Sequence, residues 1–169
     1  RVIRLHPMVI IGSIIGALFF FFQKSPCFPN IDNVSVGTVL IIMLYGCTLL
    51  PLPLKWDIRG WTEMHPLNGP AWSLYYEYIG NILYALFVRK FNKVALSILV
   101  FLAACATLHL CLTAPNGDIV GGWALNWEQQ YVGFVRLLYP FFAGLLLSRL
   151  GWLIRVKKRA FWWCSLLIV

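Results

Sequence analysis

The sequence predicts an all-α bundle of membrane-spanning helices, and three observations predict it. Of its 169 residues, 60% belong to the apolar and aromatic set and only 12% are charged, against about 25% charged in a soluble domain. The apolar residues gather into long runs separated by short polar connections. The densest basic clusters, Arg89-Lys90-Phe91-Asn92-Lys93 and Arg155-Val156-Lys157-Lys158-Arg159, sit between runs, where the positive-inside bias puts them. High hydrophobicity excludes a disordered chain. So few charges on so small a chain argue against a soluble globule. The net charge of +8 does not point to nucleic acid, whose binders collect Lys and Arg on one solvated face.

Six runs follow in order: residues 7–22, 34–54, 70–88, 94–114, 131–154, and one from 160 to 169. A spanning helix needs about 20 residues, within roughly 17–25. The second to fifth runs qualify directly, and the first does so by borrowing a turn from residues 1–6. The sixth reaches about 15 Å at 1.5 Å per residue, half of a hydrocarbon core of about 30 Å. The expectation is about five complete spans plus one cut short. A start on Arg rather than Met and an end inside a run suggest that residues 1–169 are a partial domain, the centre of a larger protein. Trp56, Trp61, Trp123, Trp127 and Trp152 fall near run ends, as interfacial aromatics do. The five cysteines are odd in number and form no C-x-x-C; they read as small apolar fillers, with neither a disulfide framework nor a metal site.

Topology is only partly determined. The two basic connections, after the third and fifth runs, lie two spans apart and share one side. If the second run crosses fully, Arg1 and Arg4 then fall on the opposite side, against the bias. Either that run is re-entrant or the two Arg are functional.

Three features carry candidate chemistry. In His65-Pro66-Leu67-Asn68-Gly69-Pro70-Ala71-Trp72-Ser73-Leu74-Tyr75-Tyr76-Glu77, Asn68 or Gly69 is placed to cap a helix with Pro70 in its first turn, and the first-turn N–H groups offer an anion a place. Ser73, Glu77 and Asn81 at i, i+4 and i+8 form one polar stripe, which Tyr84 continues. An intramembrane carboxylate costs at least about 2.5–3.5 kcal/mol, so Glu77 faces either a polar site or an Arg that ties helices together. Arg136, four residues before the kinking Pro140, either shares that site and binds substrate anions or snorkels to the interface. Arg1 and Arg4 share a helix face and their guanidinium forks suit phosphate, although juxtamembrane Arg pairs are also common. His65, just before the capped helix start, is a candidate acid or base.

Together the three elements R-x-x-R-x-x-P at Arg1 to Pro7, N-G-P-A-W-S-L-Y-Y-E at Asn68 to Glu77, and R-L-L-Y-P-F-F-A-G at Arg136 to Gly144 resemble the acyltransferase 3 family, bacterial multi-span enzymes that O-acylate surface polysaccharides and lipopolysaccharide. The resemblance implies a multi-pass inner-membrane enzyme embedded in the lipid bilayer. Its co-substrate would be acetyl-coenzyme A or another acyl-coenzyme A, with no bound cofactor, and its acceptor a hydroxyl of a surface polysaccharide or lipid-linked sugar. It gives Arg1 and Arg4 to donor binding and matches Ser73 and Glu77 as catalytic candidates in the W-S-L-x-x-E element. Asn68, Trp72 and Arg136 stand as substrate- or donor-binding candidates. The family's catalytic His belongs to a span upstream of the double Arg, a position that neither His6 nor His65 occupies, so the piece by itself is expected to be inactive. A glycan-precursor transporter or flippase module and a non-catalytic membrane scaffold remain the alternatives, since intramembrane Glu and Arg also mark transport pathways.

Overall fold

The computed structural model describes residues 2–23, 33–114 and 117–151. Arg1, the side chain of Arg4, residues 155–159 and the sixth run lie outside the described residues. Five α-helices are present among them: α1 (Val2–Phe22), α2 (Val36–Cys47), α3 (Ala71–Leu86), α4 (Lys93–Thr113) and α5 (Trp127–Leu150). Three are long and apolar enough to cross a membrane, each holding an 18-residue stretch of high mean hydropathy: 2.1 in α1 (Leu5–Phe22), 2.3 in α4 and 1.5 in α5. Fewer than a quarter of the residues in these stretches are buried by protein. Their large side chains, Phe19, Phe101 and Leu112 among them, point outward, as a lipid-facing surface requires. The helical bundle expected from composition is therefore present, and α1 takes in most of residues 1–6, as its length required.

Helix starts follow local chemistry. Asn92 and Asn126 cap α4 and α5, accepting the amide protons of Ala95 at 2.7 Å and Gln129 at 3.0 Å. Ser35 caps α2 by accepting from the Thr38 amide. The left-handed Gly151 (φ 76°) ends α5. Pro140 lies inside α5 without ending it.

The second run departs from the expected span. Its helix has only 12 residues, about 18 Å, and runs antiparallel to α1 from Phe22 toward the middle of that helix, where Gly46 meets Ser13. There Leu49 takes a left-handed φ of 61°, a costly conformation for Leu, with its side chain buried against Val9 and Ala71. The chain then doubles back, so that Lys55 to Ile58 lie beside Thr38 at the start of α2. It returns inward through the buried Met64, His65, Pro66 and Leu67. Backbone groups at this depth cannot be left unpaired. The Leu52 amide donates to the Met64 carbonyl at 2.9 Å, the Met64 amide to Trp123 at 2.7 Å, and the Asn68 amide to His65 at 3.0 Å. Two α1 glycines make the close approach possible: a Cβ on Gly16 would lie 1.6 Å from the Leu67 carbonyl oxygen, and one on Gly12 2.6 Å from the Asn68 side chain.

This re-entrance resolves the orientation of α1. From Asn68, α3 runs antiparallel to α1, with Ala71, Leu74, Tyr75 and Tyr78 packed on Val9 and its neighbourhood, and with His6 Nδ1 3.3 Å from the Tyr78 hydroxyl. The first turn of α1, to which Arg4 belongs, therefore lies at the same end of the bundle as the C-terminus of α3. At that end Arg149 of α5 donates to the carbonyls of Val88 at 3.1 Å, Arg89 at 3.3 Å and Phe91, tying α5 to the basic turn between α3 and α4. We call this the basic end. The apolar layer beneath it joins Val88, Leu96 and Phe142.

Candidate functional site

α3 holds the W-S-L-x-x-E residues and leans on two neighbours. Its Trp72, Tyr76 and Ile79 face α5, packing with Phe134, Leu137 and Phe141. Its Leu74, Tyr75 and Tyr78 face α1. At about 3.6 residues per turn, Glu77, Asn81 and Tyr84 fall on a side that faces neither helix, with Ser73 at its edge toward α5. The polar stripe is thus one continuous face of α3. Along it Ser73 donates to the Pro70 carbonyl at 2.8 Å and the Asn81 amide to the Glu77 backbone carbonyl at 2.7 Å.

The start of α3 is not an anion seat. Pro70 occupies the cap position without a side-chain hydrogen bond. The first amides are taken by backbone carbonyls: Ala71 by Asn68 at 2.9 Å, Trp72 by Gly69 at 3.4 Å and Ser73 by Pro70 at 3.2 Å. Asn68 does not cap; its side chain lies against Gly12 of α1.

Between α3 and α5 lies a groove of about 400 Å³ lined by Trp72, Ser73, Tyr76, Arg136, Pro140 and Phe141, with Gly133 and Leu137 at its base. The Arg136 guanidinium stacks over the Trp72 ring, 4.8 Å from its centroid, a cation–π geometry, and donates to the Gly121 carbonyl at 3.0 Å. A hollow thus brings together Arg136, Trp72 and Ser73 from motifs 64 positions apart. Glu77, one turn beyond Ser73, does not line it and forms no ion pair with Arg136. Among the described residues the ion pair present is Arg59–Glu63 at 3.1 Å, in the connection between α2 and α3 at the end opposite the basic one. There burial pushes the Glu63 carboxyl above its ordinary value while Arg59 pulls it down.

Three groove features were not foreseen. Gly133 is required because a Cβ there would lie 2.1 Å from the Tyr76 ring; only glycine leaves room for that ring against α5. Gly121 and Gly122 hold φ values of 144° and 106°, which glycine tolerates. The Gly122 amide donates to Gln129 Oε1 at 2.6 Å, which folds this loop over Trp72. The adjacent glycines were the visible signal. His65 lies away from the groove, 4% exposed and tilted against Tyr75. Among the described residues its Nε2 has no partner, and it borders a pocket of about 10 Å³ with Ser13 and Asn68, the size of one water.

Comparison with known families, made over the whole sequence, matches the family described as an acyltransferase domain across residues 1–169. Comparisons with curated proteins and with solved structures find no match. The helical membrane architecture and the full-length match agree on one assignment: the chain belongs to the acyltransferase 3 family of membrane acyltransferases.

Proposed function

We propose that this acyltransferase moves an acetyl group from acetyl-coenzyme A to a carbohydrate hydroxyl of a surface glycan or its lipid-linked precursor, as a multi-pass protein of the inner membrane. The observation that carries this reading is the gathering of positive charge. The first turn of α1, with Arg4, shares one end of the bundle with Arg89, Lys90, Lys93 and Arg149. By the positive-inside bias that end faces the cytoplasm, where the coenzyme is supplied, and guanidinium pairs suit its phosphates. The W-S-L-x-x-E residues begin deeper, at the middle of α1, and extend toward the donor side.

The chemistry asked of the site is simple to balance. The acceptor oxygen bonds to the thioester carbonyl carbon, the carbon–sulfur bond breaks, and a base takes the hydroxyl proton and passes it to the departing sulfur, which leaves as the free thiol of coenzyme A. A base supplies about 10²–10⁴-fold, and fixed donors stabilise the oxyanion. In this reading Glu77 orients the base or the acceptor hydroxyl, and Arg1 and Arg4 hold the donor. A site among packed helices also limits loss of the acyl group to water.

The test is transfer of labelled acetyl from acetyl-coenzyme A to glycan by the full-length protein, with the upstream span that carries the catalytic His, in membranes. Arg4→Ala is expected to abolish transfer while leaving membrane insertion intact. Full activity in that variant removes Arg4 from the site. No transfer by the unaltered protein, with untranslocated glycan precursor accumulating on deletion, points to transport instead.

A further inference from the structure

The groove between α3 and α5 carries more than a place for Arg136. Arg136 stands nine residues into α5, about 14 Å along its axis, on a helix apolar enough to cross the bilayer. A guanidinium at such depth needs compensation. What it has is one carbonyl and one indole face, which leaves most of its five N–H donors unclaimed by the described residues. Among the described residues, no carboxylate lines the groove and none pairs with Arg136, Asp118 and Glu128 included: Asp57 accepts the amides of Arg59, Gly60 and Thr62, Glu63 pairs with Arg59, and Glu77 sits on another side of α3.

The groove is also graded along its length. Ser73 and Arg136 make one end polar. Leu137, Pro140 and Phe141 carry it on toward the basic end as an apolar trough. A volume of about 400 Å³ is within the usual range of roughly 300–1,000 Å³ for ligand sites. An occupant that fits has an anionic head near the end opposite the basic one and a hydrocarbon tail pointing into the membrane. That is the orientation of a lipid in the leaflet away from the basic end.

We propose that this groove binds a phosphate-bearing lipid, its phosphate held by the Arg136 fork beside Ser73 and its tail laid along Leu137, Pro140 and Phe141. A planar guanidinium takes two phosphate oxygens at once, and the Trp72 ring holds the fork in plane. The lipid's role as carrier of the sugar acceptor rests on the function proposed above; its binding does not.

The experiment titrates the detergent-purified protein with farnesyl phosphate, read by native mass spectrometry, with farnesol and inorganic phosphate as head-less and tail-less controls. Farnesyl phosphate is expected to bind, and each control to bind at least about tenfold more weakly. Arg136→Gln is expected to weaken farnesyl phosphate by about tenfold or more, and Arg136→Lys by less, since a point charge replaces a fork. Should Arg136→Gln fail to fold, Ser73→Phe, on the exposed side of α3, narrows the groove without touching the charge and is expected to weaken binding too. Equal binding of farnesol, equal binding of inorganic phosphate, or unchanged binding in a folded Arg136→Gln each overturns the proposal. Because binding is read without acetyl-coenzyme A, the two readings fail separately. A protein that binds farnesyl phosphate through Arg136 yet transfers no acetyl keeps the groove and loses the acyl acceptor. One that transfers acetyl but binds the phosphate lipid no better than farnesol keeps the enzyme and loses the groove.

Discussion

Gly16→Ala is expected to be the most disruptive single methyl in the protein. The added carbon would stand 1.6 Å from the Leu67 carbonyl oxygen and 2.7 Å from its carbon. These are backbone atoms, so no rotamer change relieves the clash; the re-entrant segment must withdraw as a unit. Leu67 is buried with Ala17, Phe20, Ile42, Leu52 and Ile58, so withdrawal opens that cluster as well. Overpacking usually costs about 1–3 kcal/mol, and a backbone clash of this depth is expected at or above about 3 kcal/mol. The start of α3, only four residues on, would move with the segment and carry Trp72 and Ser73 out of register with Arg136. Gly144→Ala is the matched control, because a Cβ there meets nothing within 4 Å and Ala is the better helix former by about 1 kcal/mol. Thermal denaturation in detergent should show Gly16→Ala far below the unaltered protein and Gly144→Ala at or above it. Equal melting of the two variants would show that the segment does not lie against α1.

That contact also marks where sequence reasoning stopped. The long helices were legible because their signal is local: sustained runs of apolar residues. The stripe Ser73, Glu77, Asn81 and Tyr84 was legible because it depends only on helical spacing. The re-entrance of residues 34–54 was not, because a mostly apolar run of 21 residues satisfies the length rule for a span whether or not the chain turns back. What turns it is tertiary: Leu49 packing on Val9 and Ala71, and the glycines at 12 and 16 admitting residues 67 and 68. The charge pattern held a trace of this, since a full crossing would have set Arg4 against the bias. The groove was half legible. Arg136 and the W-S-L-x-x-E residues stood out by chemistry, but their meeting depends on Gly133 accepting the Tyr76 ring and on the loop at Gly121 and Gly122. Those are steric allowances across 57 and 50 positions, which no spacing reports. The expected companionship of Glu77 and Arg136 failed for a geometric reason: on one helix, the side bearing Trp72 and Tyr76 meets α5, and the side bearing Glu77 does not.

Glu77→Gln is the variant that most sharply separates structure from chemistry. The Glu77 carboxylate has no hydrogen bond or ion pair among the described residues, and its α3 face packs on neither α1 nor α5. Replacing one oxygen by an amide nitrogen keeps the side chain's shape and removes its charge, which lowers rather than raises the cost of placing it in a membrane. The melting temperature and the inserted fraction are therefore expected to match the unaltered protein, within about 0.5 kcal/mol of stability. If the carboxylate orients a base or an acceptor hydroxyl, acetyl transfer should nevertheless fall by about 10²-fold or more, with the loss in kcat rather than in the KM for acetyl-coenzyme A. A carboxylate serving only to hold helices together gives the opposite pattern, a lower melting temperature with residual activity in proportion to folded protein. Full activity at unchanged stability would remove Glu77 from the site altogether. The polar stripe would then be a face of α3 that other parts of the protein cover, and the group that orients the base or the acceptor would be sought among the residues that line the groove with Arg136.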